Sequence, residues 1–159
     1  MIRWLLSLFF LLSCLSFATP WYATDAQDID TVGLFRSNAD GSGDTLVWAN
    51  LAADDILNAN GNAVTINTSF TCSQIKSDAI LGGSFSVLAG AHTITAAVLG
   101  GAEDGLVVGG GTTTLVGNIT GGGSAGADGI LITTGTLSIT GDITGGTNAS
   151  AYGIEITGN

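Results

Sequence analysis

Oxygen-bearing side chains alternate along one short segment in the first third of the chain: Asn38, Asp40, Ser42 and Asp44. A glycine follows Ser42, at the position where a calcium-binding loop makes its sharp turn. The carboxylate that closes such a loop would fall at Ala49, so the bidentate ligand is missing. We therefore favour a polar turn at this segment and keep a weak Ca²⁺ site as the alternative.

Two carboxylates, Asp104 and Asp128, occupy equivalent places in a sequence repeat. Stacked carboxylates can act together as a general acid and a general base. A repeated corner that favours Asp explains the same pair, and Tyr152 occupies the next equivalent place. The only histidine, His92, has no Ser, Cys or acid placed beside it by spacing, and we expect it to be a surface residue. The sequence therefore offers no catalytic or cofactor-binding residue that we would assign.

Three Asn-X-Ser/Thr triplets begin at Asn67, Asn118 and Asn148 and match the pattern of N-glycosylation acceptors. In a chain so rich in Gly, Thr and Asn, such matches arise by chance. The cysteines are Cys14 and Cys72, and loss of the first with a cleaved leader would leave no internal disulfide. We expect Cys72 to be a small core residue.

Repeats form the elements that must position these side chains. Residues 105–128 and 129–152 align without a gap over 24 residues, and residues 153–159 begin a third copy. A fixed period in the twenties with recurring apolar residues is typical of a solenoid. The apolar residues alternate, which predicts inward columns on stacked strands, such as Leu106, Ile130 and Ile154. Gly-rich corners close each coil, so the pattern predicts an all-β fold, a parallel β-helix.

The period continues towards the N-terminus with lower fidelity. Residues 84–104 make a coil of 21 residues in which Phe85 matches Leu106, and the three missing residues fall in a corner. Residues 62–83 are predicted to form a further coil, whose inward apolar positions run from Val64 to Ile80. We thus predict about four coils of 21–24 residues, with a right-handed coil as the default.

Residues 19–61 differ in composition, because they hold most of the aromatic residues outside the leader and seven of the thirteen acids. We interpret this segment as an N-terminal cap that covers the first edge of the solenoid, with a short helix within residues 45–58. The coils, residues 62–159, have no matching cap at their C-terminal end. This suggests truncation of a longer parent, and it leaves an open edge for self-association.

Residues 1–18 have the features of a secretory signal peptide. Arg3 precedes an apolar run over residues 4–12, and small residues lead up to Ala18. We favour cleavage after Ala18, with a lipid attached to Cys14 as the alternative. The run is too short to cross a membrane, so we expect a secreted or surface-exposed protein without a transmembrane span.

Charge excludes one class of partner. The full chain carries a formal charge of −10, and without its leader it would retain only Arg36 and Lys76 as bases against thirteen acids. Two bases cannot form the basic patch that nucleic acid requires. The coils offer instead long faces of Thr, Ser, Asn and Gly, suited to many weak hydrogen bonds.

The Gly/Thr-rich segments 61–67, 83–87 and 93–95, together with the Gly-Asn/Asp-Ile-Thr-Gly-Gly repeats, carry a resemblance. They resemble the β-helical stalks of bacterial surface adhesins, autotransporter passengers and phage tail proteins. The resemblance covers about residues 62–159. It implies a non-enzymatic scaffold whose partner is a surface glycan or protein.

Some parallel β-helices are polysaccharide lyases or hydrolases. Pectate lyases resemble this fold but need a basic residue on the active face, and no Lys or Arg follows Lys76. Polygalacturonases carry an Asp pair with a downstream Gly-His-Gly and a basic motif, and Asp54-Asp55 has neither. The alternative function is therefore an N-terminal fragment of such an enzyme, with an active site beyond Asn159.

Overall fold

The computed structural model describes residues 18–158. The residues before Ala18, which make up most of the expected signal peptide and include the alternative lipid site at Cys14, lie outside the described residues. Twelve strands form one continuous sheet that winds into a β-solenoid of about four turns. The prediction of an all-β fold with parallel stacked coils is confirmed.

Each coil has three flat faces, and strands of successive coils pair in parallel on each of them. The first face comprises the N-terminal parts of two long strands, β8 (Leu106–Val116) and β10 (Ile130–Thr140), with three shorter strands: β4 (Ala63–Thr65), β6 (Ser84–Val87) and β12 (Ile154–Ile156). The second face comprises parts of four strands: β5 (Phe70–Lys76), β7 (Ala91–Leu99), β8 (Leu106–Val116) and β10 (Ile130–Thr140).

The third face is centred on the C-terminal ends of β5 and β7, which pair with each other. It adds four short strands: β1 (Pro20–Ala23), β3 (Ile56–Asn58), β9 (Ile119–Thr120) and β11 (Ile143–Thr144). The strand β2 (Phe35–Arg36) lies antiparallel against β1. Two strands of the N-terminal segment, β1 and β3, therefore extend the parallel ladder of the coils.

The strands β8 and β10 turn from the first face to the second at glycines with positive φ. Gly111 has φ of 67° and Gly135 has φ of 90°, conformations that side chains with a Cβ rarely adopt. The pairing of β8 with β10 shifts register at this corner, between Ile132 and Thr136. The repeat can thus turn sharply and resume the same register on the next face.

The core is a set of inward columns in the predicted register. Ile130 pairs with Leu106 on one side and with Ile154 on the other, which confirms the alignment of the three copies. Burial decreases towards the C-terminal end of the solenoid. Leu106 and Ile130 are 0% exposed, whereas Ile156 is 68% exposed. Apolar positions of the last described strand therefore contribute less burial than their equivalents in the middle coils.

Two predictions for the N-terminal half are wrong. Residues 45–58 do not form the expected helix: they contain a single 3-10 turn, Trp48–Asn50, followed by β3. Trp48 packs edge-on against Phe70 of β5, with ring centroids 5.6 Å apart, so this segment follows the surface of the solenoid. Ile80, expected to close the first coil from inside, is 87% exposed in the turn before β6.

The remaining aromatic contact of the N-terminal segment enters the core. Phe35 of β2 is buried and stacks on Phe85 of β6, with ring centroids 6.5 Å apart.

No helix within residues 18–158 is long and apolar enough to cross a membrane.

Candidate functional site

The two stacked carboxylates lie in one column at the corner that precedes the first face. Asp104 Oδ1 accepts a hydrogen bond of 2.8 Å from the backbone N–H of Asp128. Asp128 Oδ1 in turn accepts one of 2.6 Å from the backbone N–H of Tyr152. Each carboxylate therefore holds the backbone of the next coil, and a charged acceptor makes such bonds stronger than neutral ones.

Asp128 is fully buried, and within residues 18–158 its Oδ2 has no N–H or hydroxyl donor. Glu155, on the first face of the next coil, approaches this carboxylate. A hydrogen bond between two carboxyl groups requires a proton on one of them, and the bond to Asp128 raises the pKa of Glu155. Burial raises the pKa of Asp104, while the N–H of Asp128 acts in the opposite direction. The corner thus collects three acids, Asp104, Asp128 and Glu155.

A second column on the third face uses the same device. Asn118 Oδ1 accepts a hydrogen bond of 3.0 Å from the backbone N–H of Asp142, which occupies the equivalent place one coil later. Asn118 begins one of the three glycosylation triplets. Its side-chain oxygen serves the coil-to-coil contact.

A cavity of about 260 Å³ opens beside the acidic corner, lined by Ser84, Ala102, Glu103, Asp104, Ala125 and Gly126. Its second acid, Glu103, accepts a hydrogen bond of 3.0 Å from the backbone N–H of Gly83 through Oε2. Both carboxylates that line the cavity therefore bind backbone N–H groups of a neighbouring coil. No Lys or Arg follows Lys76 in the sequence, so these coils bring no cationic side chain to the cavity. The arrangement can hold backbone in place, and it lacks a cationic side chain to stabilise a developing anion.

The four candidate calcium ligands lie in an exposed turn, where Asn38, Asp40 and Ser42 bond to one another and Asp44 bonds to Ser37. Ser42 donates through its hydroxyl (2.6 Å) and its backbone N–H (2.9 Å) to Asp40 Oδ1, and these bonds lower the pKa of Asp40. Asn38 Nδ2 donates to Ser42 Oγ at 3.1 Å, and the backbone N–H of Asp44 donates to Ser37 Oγ at 2.9 Å. Within residues 18–158, no three His, Cys, Asp or Glu side chains form a cluster that could hold a metal ion.

The other residues singled out in the sequence have local partners. Asp55 is buried, and its Oδ2 accepts from the backbone N–H of Ala52 at 2.9 Å. His92 is half-buried, and its Nε2 lies 3.0 Å from the carbonyl oxygen of Ala89. Cys72 is buried in the core, as predicted, and burial raises the pKa of its thiol to about 12.

The sequence predicted long polar faces, but not the regular array that the second face forms. Its outward positions form columns of hydroxyl side chains in register across the coils. One column is Ala91, Thr112 and Thr136, the next is Thr93, Thr114 and Ser138, and the third is Thr71, Thr95, Val116 and Thr140. We call these ten positions the hydroxyl face. The alternation of Thr and Ser with inward residues was visible in the sequence, but it identifies a flat array only when the register of four coils is known.

No protein-family model, curated protein or solved structure matches the chain at a significant level. The fold alone defines its class. The chain is a β-solenoid of about four turns, built from parallel stacked coils.

Proposed function

We propose that the chain is an exported, non-enzymatic β-solenoid scaffold, similar in role to the stalks of surface adhesins, which displays binding faces along a stiff rod. The observation that carries the proposal is the use of the coil carboxylates. Asp104, Asp128 and Glu103 all accept hydrogen bonds from the backbone of a neighbouring coil. Carboxylates that are engaged in this way stabilise the rod and leave its flat faces for contact with a partner.

Two further observations support the proposal. The inward columns of the coils are in register, which gives long flat faces of short polar side chains. Arg3, the apolar run that follows it and Ala18 favour export of the chain, with cleavage before Thr19 or lipid attachment at Cys14. N-terminal sequencing of the exported protein distinguishes these two products, and an intact Met1 would contradict export.

The rival function is cleavage of an acidic polysaccharide at the corner occupied by Asp104 and Asp128. The purified chain is incubated with pectin and with alginate, with and without Ca²⁺, and products are measured by reducing ends and by absorbance of unsaturated sugars. We expect no product. Product that disappears in the double variant Asp104→Asn/Asp128→Asn would overturn the scaffold proposal. This variant is the appropriate one because asparagine retains the oxygen that accepts the backbone N–H.

A further inference from the structure

We propose that the hydroxyl face binds the surface of ice. This inference deepens the proposed function, because it names the partner that the display scaffold would hold. The argument begins with the composition of the face: eight of its ten outward positions are Thr or Ser, and the other two are Ala91 and Val116. None of the ten carries a charge or an aromatic ring.

The hydroxyl face is regular in two directions. Across the coils, residues such as Thr93, Thr114 and Ser138 pair directly, so their side chains repeat at the spacing of paired strands, about 4.8 Å. Along each strand, outward residues such as Thr112 and Thr114 are two positions apart, roughly 6.7 Å. The parallel hydrogen bonds on both sides of β8 fix this array before any partner arrives. A preorganised face pays little conformational entropy on binding.

The hydroxyls of the face are available. Within residues 18–158, none of the eight makes a hydrogen bond to another protein group, in contrast to Ser69 just outside the face, whose Oγ accepts from the N–H of Thr93 at 2.9 Å. Each hydroxyl can both donate and accept. A threonine also places a methyl group beside its hydroxyl, so water at this face is anchored at regular points and lies against apolar surface between them.

Charge distribution argues for a neutral partner. The chain has a formal charge of −10, yet its acids in the coils lie at corners and on the other two faces: Asp78, Glu103, Asp104, Asp128, Asp142 and Glu155. A crystalline lattice of water is uncharged and offers donors and acceptors at fixed intervals. Many weak contacts made at once by a rigid array give strong attachment although each one is weak.

The same chemistry disfavours a sugar chain as the partner of this face. Protein sites for sugars commonly stack the ring on an aromatic side chain and bind its hydroxyls with carboxylates or amides. The ten positions include none of these residue types. A crystalline polysaccharide remains a measurable rival and is included in the experiment.

The experiment measures partition of the purified, folded chain into a slowly growing ice surface, together with the gap between its freezing and melting temperatures. Thr114→Tyr places a bulky ring in the middle column of the hydroxyl face. Ser86→Tyr is the matched control, because Ser86 faces outward on β6 and pairs with Val107 on the first face. Should Thr114→Tyr fail to fold by circular dichroism, Ser138→Lys tests the same column from its last coil.

We expect the unaltered chain and Ser86→Tyr to enter the ice and to open a freezing–melting gap, and the hydroxyl-face variant to lose both. Exclusion of the folded, unaltered chain from ice would overturn the inference, as would equal effects of the two Tyr variants. Retention on cellulose or chitin powder with exclusion from ice would assign the face to a polysaccharide instead. Neither result touches the scaffold proposal, which has its own tests: the formation of products from a polysaccharide, and the N-terminus of the exported protein.

Discussion

The backbone N–H of Tyr152 donates a 2.6 Å hydrogen bond to Asp128 Oδ1, and so repeats one coil later the bond that the N–H of Asp128 makes to Asp104. Tyr152 occupies the place of an Asp and still makes the same hydrogen bond, because the donor is its backbone N–H. The identity of a corner residue therefore matters to the coil that follows it more than to its own.

The first prediction concerns the Asp128 carboxylate as a hydrogen-bond acceptor. Asp128→Ala leaves the backbone N–H of Tyr152 without its partner in a part-buried corner, and we expect a loss of about 1–3 kcal/mol in the free energy of unfolding. Asp128→Asn keeps the acceptor oxygen and removes a negative charge near Asp104 and Glu155, so it should be no less stable than the parent at pH 7. Urea unfolding at pH 7 measures both variants. Equal losses would show that charge, and not the hydrogen bond, is what the corner requires.

The second prediction is a pH dependence. The hydrogen bond to Asp128 raises the pKa of Glu155 above the ordinary 4.5, so its contribution to stability is complete below the unfolded pKa and is lost as pH rises through the folded pKa. The urea midpoint should therefore fall as pH rises from about 4.5 towards neutrality. Burial raises the pKa of Asp104, which contributes in the same direction.

The control for this pH dependence is Glu155→Gln, which removes one titrating group and should flatten the fall. Asp25, Asp40 and Asp78 have lowered pKa values, so their contributions are present above 3.8 and are lost only at lower pH. They do not change within the measured window. An identical slope in the parent and in Glu155→Gln would refute the assignment to Glu155.

The third prediction uses two glycines of one corner. A Cβ on Gly121 would meet the carbonyl oxygen of Tyr152 and the backbone N of Gly146 in the next coil, whereas a Cβ on Gly123 would lie 3.5 Å from the Thr147 hydroxyl. Gly121→Ala should cost about 1–3 kcal/mol through this overlap with backbone. Gly123→Ala should change stability little. Thermal unfolding of the two variants compares them directly, and similar melting temperatures would mean that the coils are not packed this closely.

The fourth prediction separates inward from outward positions. Ile130 is fully buried between Leu106 and Ile154, so Ile130→Asp buries a carboxylate without a partner and should unfold the central coils. Leu131, the next residue, is partly exposed, so Leu131→Asp should reduce stability only slightly. Circular dichroism distinguishes the two outcomes, and loss of strand signal in both variants would count against the assigned faces.

The fifth prediction concerns the thiol of Cys72. Because burial raises its pKa to about 12, it should react slowly with a disulfide reagent at pH 8 in the native chain and quickly in urea. The measurement is made with Cys14→Ser, so that one thiol remains. Ser73→Cys in the same background adds an exposed thiol next to it and should react at once. Rapid reaction of Cys72 in the native chain would contradict its place in the core.

The register of the coils could be predicted because the repeat is encoded locally. Leu106, Ile130 and Ile154 occupy equal places in three copies, and in-register stacking packs all three into one inward column. The helix expected in residues 45–58 failed for the opposite reason. Its short apolar pattern is also compatible with a chain that follows another surface, and the packing of Trp48 on Phe70 determines the outcome.

The candidate site was predictable in its residues and not in its chemistry. The recurrence of Asp104 and Asp128 indicated a corner, as the structure bears out, but the donors are backbone N–H groups that every residue carries. No sequence pattern distinguishes the N–H group that donates such a bond from its neighbours. The sequence predicted long faces of Thr, Ser, Asn and Gly, but not the columns of the hydroxyl face, because pairing between neighbouring coils brings together residues that are far apart in the sequence.

The 24-residue block has a consequence for how such a chain can change its length. Residues 105–128 and 129–152 present the same backbone to their neighbours, from the glycine corners to the carboxylate columns. Unequal recombination between these two segments of the gene would add or remove one whole coil, about 4.8 Å of rod, and would keep the parallel backbone pairing across the junction in register. The length of the rod would thus change in discrete steps of one coil.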